Sequence, residues 1–463
     1  LEAVNPLGTE KISKLLIKFS VPAIIGMLVN ALYNVVDRIF IGNAPGLGAN
    51  GLAGITIGFP IMIIMMSVGM LFGIGGATLF SMKLGEGKRK EAEEILGNTF
   101  ILLLISGSVL LVLGTLFLGP MLQFFGASEA VLPFVKEYMG IIFFGSIFQV
   151  MGMGLNNFLR ADGQPKLAMI TMFVGAGTNI ILDPILIYVF DMGMAGAALA
   201  TIFSQFISMA WILNYFLRGS GHRIQRKNLK IKRWIVTRVV SLGLPSFLLQ
   251  LGNSLLNVVL NKSLLTYGGD LAVSGMGIVN SIQTILLMPI IGLNQGLQPI
   301  ISFNFGAKKF ARVKEAVKLG IMVATLIVFL GWGFTRLFPE IFVRMFNQEP
   351  DLVAFGSYAL KAWFWGLPVI GFQIIAANFF QATGRSKIAI FLTMTRQIIL
   401  LIPAILIFSN IWGLNGIVHA APFADIVAAI LTFLWFSFEM RRLSRVENEL
   451  NLEVSLNQTP EIE

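Results

Sequence analysis

Apolar residues run through this chain in long blocks, broken at short intervals by Gly, Pro and clusters of charge. Twelve blocks reach the length at which a helix crosses a bilayer, about 20 residues. They cover 13–41, 51–83, 93–119, 131–161, 166–190 and 193–219, then 232–267, 270–303, 311–337, 351–382, 386–409 and 413–443. Several are longer than a perpendicular crossing needs, so they tilt or project beyond the lipid. The pattern predicts an all-α polytopic membrane protein.

Composition agrees. The chain is 56% hydrophobic and 13% charged, with a mean hydropathy of +0.80; soluble domains carry about 25% charged residues. With no Cys and only two His, disulfides, iron–sulfur clusters and thiolate or histidine metal sites are excluded, and an enzyme has few groups to work with. The net charge of +10 does not signal nucleic acid, because most of the 34 Lys and Arg lie in alternate loops. Positive loops mark the cytoplasmic side, which predicts an inner-membrane protein with both termini cytoplasmic. From the polar start at Leu1 no cleavable signal peptide is expected.

The second half restates the first. Pro22 matches Pro245, "VNALYNVV" matches "GNSLLNVV", "SMKLGEGKRK" matches "SFNFGAKKFA", and "NFLRADGQPK" matches "NFFQATGRSK", all offset by about 220 residues. Six spans per half make the repeats parallel. The expected division is an N-lobe (1–219), a cytoplasmic linker (220–231), a C-lobe (232–443) and a polar, acidic, frayed tail (444–463). Substrate sites in such proteins lie between the halves, so Tyr33, Asn34, Asn157, Asn253, Asn257 and Gln283 are expected to line the substrate space.

Ionisable residues inside spans carry function by default, because burying them is expensive. In span 1, Asn30, Asn34 and Asp37 share one helical face. In span 5, Asn179 and Asp183 are separated by one turn. At 1.5 Å per residue, Asp37 lies about 8 Å below the outer end of its span, and Asp183 and Thr201 each about 12 Å. Asp37, Asn179, Asp183 and Thr201 therefore converge on one level of the first lobe, where their oxygens suit a proton or a small hard cation such as Na⁺. A desolvated carboxylate beside a second one takes up a proton more readily than in water. Asp183 precedes Pro184, so the structural alternative to a functional carboxylate there is a helix restart with Asp183 as its cap. Pro22 and Pro184 are candidate hinges. In the second half Asp37 is replaced by Leu260. That half has its own charged residues, Arg396 in span 11 and Asp425 in span 12, at depths that nearly meet, and these are expected to pair.

The stretches "VPAIIGMLVNALYNVVDRIFIG", "SMKLGEGKRKEAE", "NNFLRADGQPK", "TNIILDPILI" and "GMAGAALAT" together resemble the multidrug and toxic compound extrusion (MATE) family, over residues 11 to 443. The resemblance implies two six-helix lobes around a central V-shaped cavity. It implies export of hydrophobic, often cationic compounds in exchange for H⁺ or Na⁺, with no other cofactor. Members with an acidic residue in span 1 place their coupling site at positions matching Asp37, Asn179, Asp183 and Thr201. Carboxylates that other members carry in spans 7 and 10 are here Gln250, Asn253 and Asn257, then Gln373, Asn378 and Gln381. The expected partners are the lipid bilayer and drug-like molecules, with no nucleic acid, and a monomer suffices. The alternative within the superfamily is a flippase or exporter of lipid-linked oligosaccharides, which would need a more cationic cavity. A channel would not need a repeat with its carboxylates on one side.

Overall fold

The computed structural model describes residues 5–44, 46–219 and 221–456; residues 1–4, 45, 220 and 457–463, with the end of the acidic tail, fall outside it. In lipid a backbone must satisfy its own hydrogen bonds, and these apolar blocks do so as helices; the described residues contain no strand. The first half comprises α1 (Ile12–Asn43), α2 (Gly48–Gly85), α3 (Arg89–Leu116), α4 (Leu118–Phe124), α5 (Leu132–Phe144), α6 (Ser146–Ala161), α7 (Pro165–Pro184) and α8 (Gly193–Asn214). The second comprises α9 (Arg233–Gly306), α10 (Phe310–Leu337), α11 (Pro339–Arg344), α12 (Pro350–Trp363), α13 (Leu367–Ala382), α14 (Ser386–Met394), α15 (Ile402–Trp412) and α16 (Leu414–Leu456).

Ten of the described helices pass as membrane spans, and the bent pair α5–α6 makes an eleventh. Helix α9 is 74 residues long and contains Gly269 at φ 62°, ψ −162°, which no helix accommodates; it therefore holds two spans. That gives twelve. The expected boundaries hold to within a few residues, with two differences. Residues 444–456 continue α16 instead of fraying. Their first turns are held by Lys314, which pairs with Glu447 at 2.5 Å and donates to Ser444 Oγ at 3.2 Å. Asp183 does not cap a restarted helix either. Span 5 runs through Pro184 into a π-helical segment, Ile185–Val189, whose wider turn accommodates the missing proline N–H.

The chain packs as two compact bodies, residues 18–254 and residues 255–463 together with 1–17. In the first body α2, α3 and α6 pack against one another, and α7 packs along α8. The start of α9 also belongs here. It approaches α2 so closely that a Cβ on Gly243 would overlap the Leu71 carbonyl. The linker ahead of it is fastened by Asn98, whose amide donates to the carbonyls of Asn228 (3.2 Å) and Lys230 (3.1 Å) and whose oxygen accepts from the Lys232 N–H (2.7 Å). In the second body α10 packs on α13 and α15 on α16. The start of the chain is fastened there in the same manner. Asn304 donates to the Leu7 carbonyl at 2.9 Å, and Arg312 donates to the carbonyls of Leu7 and Glu10 at 3.1 and 2.7 Å.

Candidate functional site

The first body gathers four helices around one polar cluster. Helix α1 contributes Tyr33 and Asp37, and span 5 contributes Asn179 and Asp183. Helix α8 contributes Thr201. Asp37 is 7% exposed; Asn179 and Asp183 are wholly buried, and Thr201 is nearly so. The Asn179 amide donates to Asp183 Oδ1 at 3.3 Å and to Thr201 Oγ1 at 3.4 Å. Asp37 and Asp183 lie within reach of one another's side chains. The Tyr188 hydroxyl, on the π-segment, donates to the Phe40 carbonyl at 2.7 Å and ties α1 to span 5 one turn beyond the carboxylates.

The electrostatics of this cluster are unusual. Arg38, adjacent to Asp37 in sequence, is exposed and lies over the Phe59 ring at 5.5 Å. Among the described residues neither Asp37 nor Asp183 forms an ion pair. Three buried oxygens receive no hydrogen bond from the protein: Asp37 Oδ1, Asp183 Oδ2 and Asn179 Oδ1. An unpaired buried acceptor costs about 1–3 kcal/mol, and a charged one more. Two carboxylates in one desolvated pocket, neither held in an ion pair among the described residues, suit a proton or a small hard cation.

Sequence reasoning missed one member. Tyr138 on α5 is 1% exposed, and its hydroxyl reaches Thr201. It lies seven residues before Gly145, the break between α5 and α6, and, in sequence, reads as one more aromatic of an amphipathic helix. Its only signal is the phenol oxygen, which needs a partner when buried.

The residues expected at the substrate space are arranged variously. Tyr33 is half-buried beside the carboxylates. Asn34 is exposed and donates to Asn30, both to its carbonyl (2.7 Å) and to its Oδ1 (3.1 Å). Asn157 is engaged at the basic-loop end of α6, where its Oδ1 accepts from buried Arg160 at 2.9 Å. Asn253 is half-buried and donates to Gln250 Oε1 at 3.4 Å, and Asn257 is exposed. Gln283 accepts the Trp363 indole N–H at 3.0 Å. Pro22 is buried inside an unbroken α1. In the second body Arg396 and Asp425 meet, with Arg396 Nε donating to Asp425 Oδ1 at 2.7 Å.

Comparison with known proteins places this arrangement. The MatE family model matches residues 22–185 and 245–407, one stretch in each half. The multidrug export protein MepA of Staphylococcus haemolyticus is 27% identical over 444 residues, spanning 96% of this chain and 97% of that one. MepA of Staphylococcus saprophyticus is 29% identical, over 90% of this chain and 91% of its own length. Among solved structures, the MATE multidrug transporter DinF-BH, solved as a complex, superposes with a TM-score of 0.87 at 40% identity, over 93% of this chain and 96% of that one. A MATE structure in a bent conformation gives a TM-score of 0.91 at 25% identity, over 97% and 99%. Solved relatives of this kind carry twelve membrane helices in two lobes, as this chain does, and the family's members are transporters, not enzymes. With each half matched and the fold shared along nearly the whole length, the chain belongs to the MatE family of multi-pass membrane transporters.

Proposed function

We propose that this protein exports hydrophobic and cationic drug-like compounds in exchange for H⁺ or Na⁺, by alternating access across the cell membrane. The export reading is supported by the relatives that are multidrug export proteins and by the 40% identical structure, that of a multidrug transporter. The coupling reading rests on one observation, the three unpartnered buried oxygens of Asp37, Asn179 and Asp183. A bound Na⁺ would take all three as ligands and a bound proton would be shared between two of them, and cation release leaves two carboxylates that the body tolerates only by rearranging around them. A ligand drives such a change only through a difference in affinity between two states. Asp37 and Asp183 supply that difference because their charge is satisfied in one state only. Tyr33 and Asn34, on the same face of α1, are then placed to sense substrate beside the cation, and α1 bends at Pro22. Both termini lie in the cytoplasm, on the side of the basic loops, and a single chain is the working unit.

The test is dye export from proteoliposomes with a pH gradient or a Na⁺ gradient imposed alone, for wild type and Asp37→Asn. Export driven by a pH gradient and lost in the variant identifies a proton site. Export driven only by Na⁺ makes the same oxygens metal ligands. Normal export by Asp37→Asn under either gradient overturns the coupling site.

A further inference from the structure

The second body contains an ion pair that cation exchange at Asp37 and Asp183 leaves unused. Arg396 lies on a seven-residue π-helical segment, Thr395–Leu401, in the middle of span 11. Its partner Asp425 on α16 has a side chain 2% exposed, while the Arg396 side chain remains 17% exposed. The contact is through a single bond from Nε, on the side of the guanidinium. Among the described residues Nη1 and Nη2 have no protein partner. The paired edge of the guanidinium, which best fits two oxygens of one anion, is therefore left open.

A pair that only stabilised the body would be built differently. Apolar residues of similar volume usually serve stability as well as a buried ion pair or better, and a bidentate contact would leave fewer donors wanting. Here the carboxylate packs closely on a neighbouring turn. Gly366 ends the tight turn Phe364–Gly366 between α12 and α13, and a Cβ there would stand 2.9 Å from Asp425 Cβ and 3.2 Å from Oδ2. The same turn is anchored on its other side by the bond from Trp363 to Gln283. Asp425 thus sits tightly against this turn and holds Arg396 through Nε. The π-helical turn displaces Arg396 from the register of a regular helix, a distortion frequent at functional sites.

We infer that Arg396 is an anion-recognition residue of the second body, whose open Nη edge receives the carboxylate of a zwitterionic or anionic amphiphile, with Asp425 as its positioning residue. The inference rests on the export reading above and extends its substrate class. Since the pair is neutral as a whole, a positive group elsewhere on the same ligand is not repelled.

The experiment measures binding to the purified full-length protein by fluorescence polarisation, using a rhodamine dye with a free carboxylate and the same dye as its methyl ester. The double variant Arg396→Gln/Asp425→Asn removes both charges and leaves no lone buried ion. It should weaken the acid dye about tenfold or more, as expected for losing a bidentate charged contact, and change the ester by less than about twofold. Asp425→Asn alone keeps the guanidinium and should bind the acid at least as tightly as wild type. Acid and ester shifting together in the double variant, or neither shifting, overturns the inference. Gradient-driven export of the ester dye by wild type tests the export reading separately: its failure beside an acid-selective binding loss sinks that reading and leaves the site.

Discussion

Asp37 and Leu260 occupy matching positions in the two repeats, and both are buried, at 7% and 1% exposure. Around Asp37 the first body assembles Asp183, Asn179, Thr201 and Tyr138, and among the described residues no basic side chain forms an ion pair with it, the neighbouring Arg38 being exposed. Around Leu260 the second body is simply packed. The charge of the second body sits elsewhere, on Arg396 and Asp425, and there it is balanced. One scaffold thus carries an unbalanced site in one copy and a balanced one in the other. An unbalanced buried site is a poor device for stability and a good one for taking up and releasing a cation.

The sharpest way to break this comparison is to exchange the two residues. Asp37→Leu removes an unpaired buried carboxylate and should raise the melting temperature in detergent while abolishing gradient-driven export. Leu260→Asp buries one where nothing answers it and should destabilise by about 3–5 kcal/mol, enough to prevent folding of a marginal body. If both variants shift the melting temperature in the same direction, the two positions do not differ as argued. A smaller effect is expected at the balanced site. Gly366→Ala places a methyl 2.9 Å from Asp425 Cβ and 3.0 Å from Pro422 Cα, so α16 must move. Overpacking of this kind costs about 1–3 kcal/mol, read as a lower melting temperature with coupling at Asp37 intact. The smallest effect belongs to Tyr138→Phe. Loss of the hydroxyl that reaches Thr201 should cost about 1 kcal/mol, roughly a fivefold shift in the cation concentration that gives half-maximal export. An unchanged concentration dependence would remove Tyr138 from the cluster.

Much of this was readable from residue order because the spans are helices of fixed rise. Counting 1.5 Å per residue places Asp37, Asp183 and Thr201 at one depth, and likewise Arg396 and Asp425. The structure brings together the residues that the count sets level. Where a helix departs from that rise, the reading fails. The segments Ile185–Val189 and Thr395–Leu401 are π-helical, and no local motif announces them, since the prolines at 184 and 403 suggest kinks or breaks instead. Tyr138 was hidden for a different reason: its ring belongs to the apolar core, and only one atom belongs to the site. The continuation of α16 to Leu456 was hidden because the residues after 444 are polar, and their helix is held by Lys314, some 130 positions earlier.

The fastening of the first residues to the second body has a consequence for synthesis. The carbonyls of Leu7 and Glu10 are met by Asn304 and Arg312, which lie about 300 residues downstream. At roughly 5–20 residues per second, the ribosome takes about 15–60 s to deliver these donors. Throughout that interval the Leu7 and Glu10 carbonyls wait for these donors. The second body cannot close until residues 7–10 meet residues 304–312. The order in which the spans leave the translocon and the order in which the bodies become complete are therefore different.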